Sequence, residues 1–132
     1  MHVKDGMTDV VLSVGPDHTL REAARLMAKR GVGAAVVVDP EEPGPGIITE
    51  RDVLDSLGAG QSPDDERVHD HLSGDLTFAS PEWSLERAAE VMIKSGFRHL
   101  VVVNGGEVLG ILSMRDIVRC WIEAGVTSNV AA

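Results

Sequence analysis

The chain has 132 residues, of which 43% are hydrophobic, enough for one compact domain or for two half-sized units that depend on each other for burial. Its 12 lysines and arginines stand against 21 aspartates and glutamates, and the formal charge of −9 argues against nucleic acid and anionic membranes as partners. Cys120 is the single cysteine, the first residues lack the apolar stretch of a signal peptide, and no apolar run approaches the ~20 residues that cross a bilayer. We therefore expect a protein of the reducing cytoplasm with no disulfide and no membrane span.

An internal repeat organises the chain. Matching residues recur at an offset of 65, which becomes 64 after one deletion. The matched pairs include Asp5 with Asp70, Pro16 with Pro81, Leu20 with Leu85, Met27 with Met92, Gly31 with Gly96, Gly46 with Gly110, Thr49 with Ser113 and Asp52 with Asp116. We place the first copy in residues 1–60, a connector in 61–68, and the second copy with a C-terminal tail in 69–132.

The period of the apolar residues predicts five elements in the first copy. In chain order they are a strand (Val10–Val14), a helix with the apolar face Leu20, Ala23, Ala24 and Met27, two strands (Ala34–Asp39 and Gly46–Thr49) and a second helix (Glu50–Ser56). Thr19 with Glu22 predicts a capping box at the start of the first helix, and Gly31 predicts its C-cap. The uniformly apolar strand at Ala34 suggests burial on both faces.

The second copy repeats this order. Its predicted elements are a strand (Leu76–Ala79), a helix with the apolar face Leu85, Ala88, Ala89 and Met92, strands His99–Val103 and Val108–Ser113, and a helix from Met114 to about Ala124. The stretch Val126–Ala132 is predicted to be a loose tail. A β-α-β-β-α unit that occurs twice predicts a mixed α+β fold.

These features resemble the cystathionine β-synthase (CBS) domain pair, also called a Bateman module, over nearly the whole chain. The matching motifs are Gly31-Val32-Gly33 with Gly46-Ile47-Ile48-Thr49-Glu50-Arg51-Asp52, and Gly96-Phe97-Arg98-His99 with Gly110-Ile111-Leu112-Ser113-Met114-Arg115-Asp116. The resemblance implies two repeats packed about a pseudo-twofold axis, a ligand cleft between them, frequent pairing into a homodimer, and regulation instead of catalysis.

Two hydroxyl–carboxylate pairs, Thr49 with Asp52 and Ser113 with Asp116, are the leading ligand-binding candidates. The resemblance implies that each aspartate binds a ribose, and a carboxylate can accept hydrogen bonds from both hydroxyls of a ribose diol. The alternative is helix capping, because an acid three residues after Ser or Thr is a capping signature. Recurrence of the pair after a Gly-Ile strand in both copies favours the ligand interpretation.

The loop after the first helix of each copy supplies further candidates. Arg98 and His99 occupy a position where similar modules place basic groups for nucleotide phosphates, whereas the first copy has Gly33 and Ala34 there. Val32 and Phe97 would line the adenine, with simple core packing as the alternative. The resemblance is incomplete, because the family often begins the following strand with proline and this chain has valines (Val36 and Val101).

No catalytic constellation is recognisable. The sequence has no phosphate-binding loop of the Gly-x-x-x-x-Gly-Lys-Ser/Thr type, no Gly-x-Ser-x-Gly elbow and no His-Glu-x-x-His motif. Cys120 is expected to be a packed small hydrophobic residue or a partly exposed thiol instead of a nucleophile. His69 and His71 are expected to be solvated loop residues instead of metal ligands. We therefore predict a non-enzymatic protein.

Two functional hypotheses remain. The first is a module that senses an adenosyl small molecule, drawn from AMP, ADP, ATP, S-adenosylmethionine or NAD, and acts on a separate effector protein. The second is a structural or protein-interaction dimer that binds no nucleotide, with Trp83, Trp121 and Met114 forming either an apolar contact patch or internal packing.

Overall fold

A computed structural model of the chain, which describes residues 1–72 and 78–125, contains two three-stranded sheets of the same topology. The elements in chain order are α1 (Val3–Gly6), β1 (Ser13–Val14), α2 (Leu20–Arg30), β2 (Ala34–Val37), β3 (Gly46–Thr49), α3 (Glu50–Gly58), a 3-10 turn (Val68–Asp70), β4 (Phe78–Ala79), α4 (Leu85–Ser95), β5 (His99–Asn104), β6 (Glu107–Ser113) and α5 (Met114–Glu123). The predicted β-α-β-β-α order and the mixed α+β class are confirmed.

Each sheet has the order of its strands in the chain. Strand β1 pairs with β2 in parallel and β2 with β3 antiparallel, and β4, β5 and β6 repeat this pattern. The first strand of the first copy is shorter than the predicted Val10–Val14, whereas two residues of the corresponding prediction in the second copy, Leu76 and Thr77, lie outside the described residues. The predicted tail Val126–Ala132 also lies outside them. Every residue of β2 is buried, as its uniformly apolar sequence predicted.

Side-chain caps mark the starts of α2, α3, α4 and α5, and backbone hydrogen bonds mark their ends. Gly31 and Gly96 cap α2 and α4 in the left-handed conformation, with φ of 67° and 77°. The Thr19 hydroxyl accepts from Glu22 N, but the Glu22 carboxylate accepts from the Thr19 hydroxyl, so the predicted capping box is only half formed. Thr19 also pairs with Arg67 in an isolated antiparallel bridge, whose hydrogen bonds run from Leu20 N to Glu66 O and from Val68 N to His18 O.

The described residues form two packing units, one within Val11–Leu76 and the other within Met1–Val10 and Thr77–Ala132. The first has a core built on α2, β2 and β3, with Leu20, Ala23 and Met27 buried as predicted. The second has a core built on α4, β5, β6 and α5, and it includes Val3 from the N-terminal segment. The packing units therefore divide the chain differently from the sequence repeat, whose predicted boundaries lie at residues 60 and 68.

The N-terminal segment binds the second copy by the same backbone hydrogen bonds that the connector makes to the first. Val3 N donates to Trp83 O at 2.8 Å, and Val68 N, 65 positions later, donates to His18 O at 2.9 Å. Three hydrogen bonds of the N-terminal segment have an equivalent in or beside the connector at the repeat offset of 65. Val3 N to Trp83 O corresponds to Val68 N to His18 O, Lys4 N to Pro81 O corresponds to His69 N to Pro16 O, and Leu85 N to Met1 O corresponds to Leu20 N to Glu66 O. Each packing unit is thus completed by a segment that precedes the other copy in the sequence.

The predicted connector 61–68 lies against α2. Leu20 N donates to Glu66 O at 3.0 Å, and Arg21 N donates to Pro63 O at 3.0 Å. The Arg21 guanidinium also binds the Asp64 carboxylate, and this contact holds the pKa of Asp64 below its ordinary value. Most side chains of the connector are therefore exposed, but its backbone is hydrogen-bonded to the start of α2.

Candidate functional site

In each copy, a strand pairing places the loop after the first helix beside the start of the second helix. Ala34 at the start of β2 pairs with Thr49 at the end of β3, and His99 pairs with Ser113 in the same way. Glu50 N then donates to Gly33 O at 2.9 Å, which ties the loop to the first residue of α3. In the second copy Met114 N donates to Arg98 O at the same distance. The structure therefore brings together, within each copy, the loop and the hydroxyl–carboxylate pair that the sequence selected.

Both hydroxyl–carboxylate pairs form complete capping boxes. Asp52 Oδ2 accepts from Thr49 N at 2.8 Å and from the Thr49 hydroxyl at 2.9 Å, and Asp52 N donates back to Thr49 Oγ1 at 3.3 Å. Ser113 and Asp116 make the reciprocal backbone bonds at 2.8 and 3.1 Å. The capping interpretation is therefore confirmed. Ribose binding by the two aspartates stays a prediction.

The loop side chains differ in exposure. Val32 is 37% exposed, Phe97 is half-buried, and within the described part of the chain the two core clusters include neither residue. Arg98 is exposed and His99 is half-buried. Simple core packing therefore does not account for Val32 and Phe97.

Sequence reasoning missed Arg119, which contacts the second site directly. Its Nη2 donates to Asp116 Oδ1 at 3.3 Å and to Gly6 O at 3.1 Å, and its Nη1 lies 3.7 Å from Glu123 Oε1. The hydrogen bond to Asp116 raises the pKa of the Arg119 guanidinium above its already high value. A comparison of the two copies at the offset of 64 could have revealed the position, because its counterpart is an acid, Asp55.

The ion pairs around the candidate aspartates join side chains three or four positions apart on one helix. Arg51 Nε pairs with Asp55 Oδ1 at 3.7 Å instead of with the adjacent Glu50, and the described ion pair of Asp116 is with Arg119. Side chains three or four positions apart share a helix face, whereas adjacent ones diverge. These ion pairs therefore follow the helix face and not adjacency in the sequence.

The cysteine and the two histidines considered in the sequence analysis have contacts outside the two candidate sites. Cys120 is buried in the core of its unit, His69 pairs with Asp70 at 3.0 Å, and His71 Nε2 lies 2.7 Å from Glu66 Oε1. Trp83, Met114 and Trp121 pack against the same core as Cys120, which favours internal packing over a contact patch.

Within residues 1–72 and 78–125, no three His, Cys, Asp or Glu side chains are grouped so that they could hold a metal ion. Over the same part of the chain, every helix is too short or too polar to cross a membrane.

Comparison with known proteins identifies the repeat. The CBS domain family matches the chain twice, over residues 2–59 and 68–123. The CBS domain-containing protein YhcV of Bacillus subtilis is 35% identical over 119 residues, which cover 87% of this chain and 81% of that protein. Among solved structures, a hexameric CBS-CP12 protein from bloom-forming cyanobacteria superposes with a TM-score of 0.85 at 25% identity, covering 93% of this chain and 74% of the other. The CBS domain pair of protein MJ0100, in complex with 5′-methylthioadenosine and S-adenosylmethionine, gives a TM-score of 0.83 at 22% identity, covering 94% and 98%.

Proposed function

This chain belongs to the CBS domain family, and on that premise we propose that it is a non-catalytic regulatory module that binds an adenosyl ligand and signals its presence to a separate partner protein. The observation that carries the proposal is the recurrence of one arrangement in both copies. A loop with an exposed or half-buried apolar side chain is bonded to a helix start, and a half-buried carboxylate is held there by its own capping box.

The chemistry of this arrangement suits a nucleoside. An aspartate held by its cap has a defined orientation, and its carboxylate can accept the two hydroxyl hydrogens of a ribose. Val32 or Phe97 on the adjoining loop offers an apolar surface to the adenine base. The positive end of the helix dipole at the start of α3 and of α5 favours anionic or polar substituents of the sugar. The complex of MJ0100 with two adenosyl ligands supports the same ligand class.

We expect adenosyl ligands to stabilise the protein against thermal unfolding. A ligand at 100 times its Kd adds about 2.7 kcal/mol to the free energy of unfolding. The panel is AMP, ADP, ATP, NAD, 5′-methylthioadenosine and S-adenosylmethionine, applied to protein from which bound nucleotide has been removed. Asp52→Asn and Asp116→Asn keep an acceptor for the cap while removing the charge, so a loss of the shift in either variant identifies the copy that binds.

The matched control is Glu22→Gln. Glu22 follows Thr19 with the same spacing and also lies in the first turn of a helix, but the proposal gives it no ligand. Its substitution should leave every ligand-induced shift intact. If no adenosyl compound shifts the unfolding of the unmodified protein, the proposed function is wrong.

A second candidate function, self-association, has its own observation. Leu54 on α3 and Val118 on α5 occupy equivalent positions in the two copies, and their exposed fractions are 62% and 45%. Leu57 and Ile122 extend these faces and are also exposed. Apolar residues exposed at matching positions of a repeat suit a symmetric contact with a second copy of the chain. The hexameric state of the CBS-CP12 protein is consistent with assembly in this family.

Charged substitutions on these helix faces are expected to reduce the oligomer. Leu54→Glu combined with Val118→Glu should shift the molar mass measured by light scattering to that of a monomer of 14.1 kDa, because two charges would be desolvated in the contact. Ile93→Glu is the control, since Ile93 is 74% exposed but lies on α4. A double variant with unchanged molar mass would show that these faces do not form the contact.

A further inference from the structure

The two candidate sites differ in charge although their backbones match. The loop and second helix of the first copy carry one basic residue, Arg51, and three acidic ones (Glu50, Asp52 and Asp55). The loop and second helix of the second copy carry three basic residues (Arg98, Arg115 and Arg119) and two acidic ones (Asp116 and Glu123). The first site is therefore acidic and the second is basic, within a protein of formal charge −9.

Arg119 is the basic residue that the structure fixes most firmly at the second site. Its guanidinium contacts the Gly6 carbonyl, the Asp116 carboxylate and the Glu123 carboxylate. Its positive charge is therefore held beside Asp116, the residue proposed to bind the ribose. The Arg119 side chain is still 49% exposed, whereas that of Asp116 is 15% exposed. A guanidinium has five N–H donors, so these contacts leave donors for an anion that approaches from solvent.

The counterpart in the first copy has the opposite charge. Asp55 lies 64 positions before Arg119, three residues after the candidate aspartate of its own copy, and pairs with Arg51 at the surface. A phosphate that binds near Asp52 would also lie near the Asp55 carboxylate, and the two negative charges would repel each other. A neutral thioether or a cationic sulfonium in place of the phosphate avoids this repulsion.

We infer that the second copy selects phosphorylated adenosine ligands and the first copy selects adenosyl ligands without phosphate, with Arg119 and Asp55 as the specificity-determining residues. The inference rests on the proposed function, since it assigns ligand classes to the sites proposed there. It also makes the module able to respond to two kinds of ligand at once.

Calorimetric titration of the full chain with AMP and with 5′-methylthioadenosine tests the assignment. AMP binding should be lost in Asp116→Asn and retained in Asp52→Asn, and 5′-methylthioadenosine should show the reverse. Arg119→Gln should weaken AMP binding roughly tenfold by removing one nearby charge, with 5′-methylthioadenosine unaffected. Lys4→Gln is the control, because it removes one positive charge from the same packing unit at a surface ion pair with Glu82.

A gain of function keeps the test independent of any loss of folding. Asp55→Arg should give the first copy an AMP site, so the stoichiometry of AMP binding should rise from one to two per chain. Glu42→Arg makes the same change of charge in the loop at the opposite end of β2 and β3, and it should leave the stoichiometry at one.

The outcomes separate the two proposals. If neither compound binds the unmodified protein, the proposed function fails together with this inference. The selectivity inference is overturned, and the ligand-binding function stands, if both compounds bind but AMP binding is lost in Asp52→Asn. The same conclusion follows if Arg119→Gln lowers the affinity for both compounds equally.

Discussion

Replacement of Gly110 by alanine is expected to destabilise the protein by about 3 kcal/mol, from overpacking and from the loss of backbone hydrogen bonds. A Cβ atom at Gly110 would lie 2.5 Å from the Thr8 carbonyl oxygen and 3.1 Å from Met7 Sδ. Backbone cannot rotate away as a side chain does, so the N-terminal segment must move. That movement would break the two hydrogen bonds, of 2.9 and 3.0 Å, that join Thr8 to Ile111. Urea denaturation followed by circular dichroism measures the change.

The corresponding glycine of the first copy supplies the comparison. A Cβ at Gly46 would meet the end of the Leu72 side chain at 3.0 Å, and that side chain can change rotamer. Gly44 has open space around its Cβ position. We expect Gly46→Ala to cost under about 1 kcal/mol, and Gly44→Ala to be neutral or slightly stabilising through the unfolded state. If Gly110→Ala costs no more than Gly46→Ala, the N-terminal segment does not pack on β6 as described.

Substitution of Val3 by aspartate is expected to unfold the unit that contains the second copy. Val3 is fully buried in that unit's core although it lies at the start of the chain. Burial of an unpaired carboxylate among apolar side chains costs several kcal/mol, a large part of the 5–15 kcal/mol that stabilises a typical domain. Hydrogen exchange followed by mass spectrometry should show loss of protection first in residues 78–125.

Val68→Asp is the reciprocal variant. Val68 is equally buried, in the core of the other unit, and the loss of protection should then begin in residues 11–72. Val10→Asp is the matched control, since Val10 is 71% exposed and its substitution should change stability by less than about 0.5 kcal/mol. Loss of protection that begins in residues 11–72 of the Val3→Asp protein would contradict the assignment of the N-terminal segment.

The candidate site was only partly predictable. Thr49, Asp52, Ser113 and Asp116 could be selected because their motif recurs, and the pairing of β2 with β3 and of β5 with β6 brings each pair to the predicted loop. Arg119 could not be selected in this way, because its position differs between the copies and repetition was the signal used. Its guanidinium also contacts the carbonyl of Gly6, a residue 113 positions away, and the local sequence does not indicate this contact.

The sequence by itself determined the main helices and strands of each copy, the repeat and the fold class, but it did not indicate α1 or the 3-10 turn. A helical period of 3.6 residues, short apolar runs, capping side chains and glycine C-caps act over a few residues, so they can be read along the chain. The tertiary structure alone decided which segment completes which core. Val3 and Val68 are both valines at equivalent positions of the repeat, yet they pack into different cores. Contacts with residues distant in sequence decide which core each of them enters. The requirement for glycine at position 110 also depends on the tertiary structure, because the atoms that would contact a side chain there belong to residues more than 100 positions earlier.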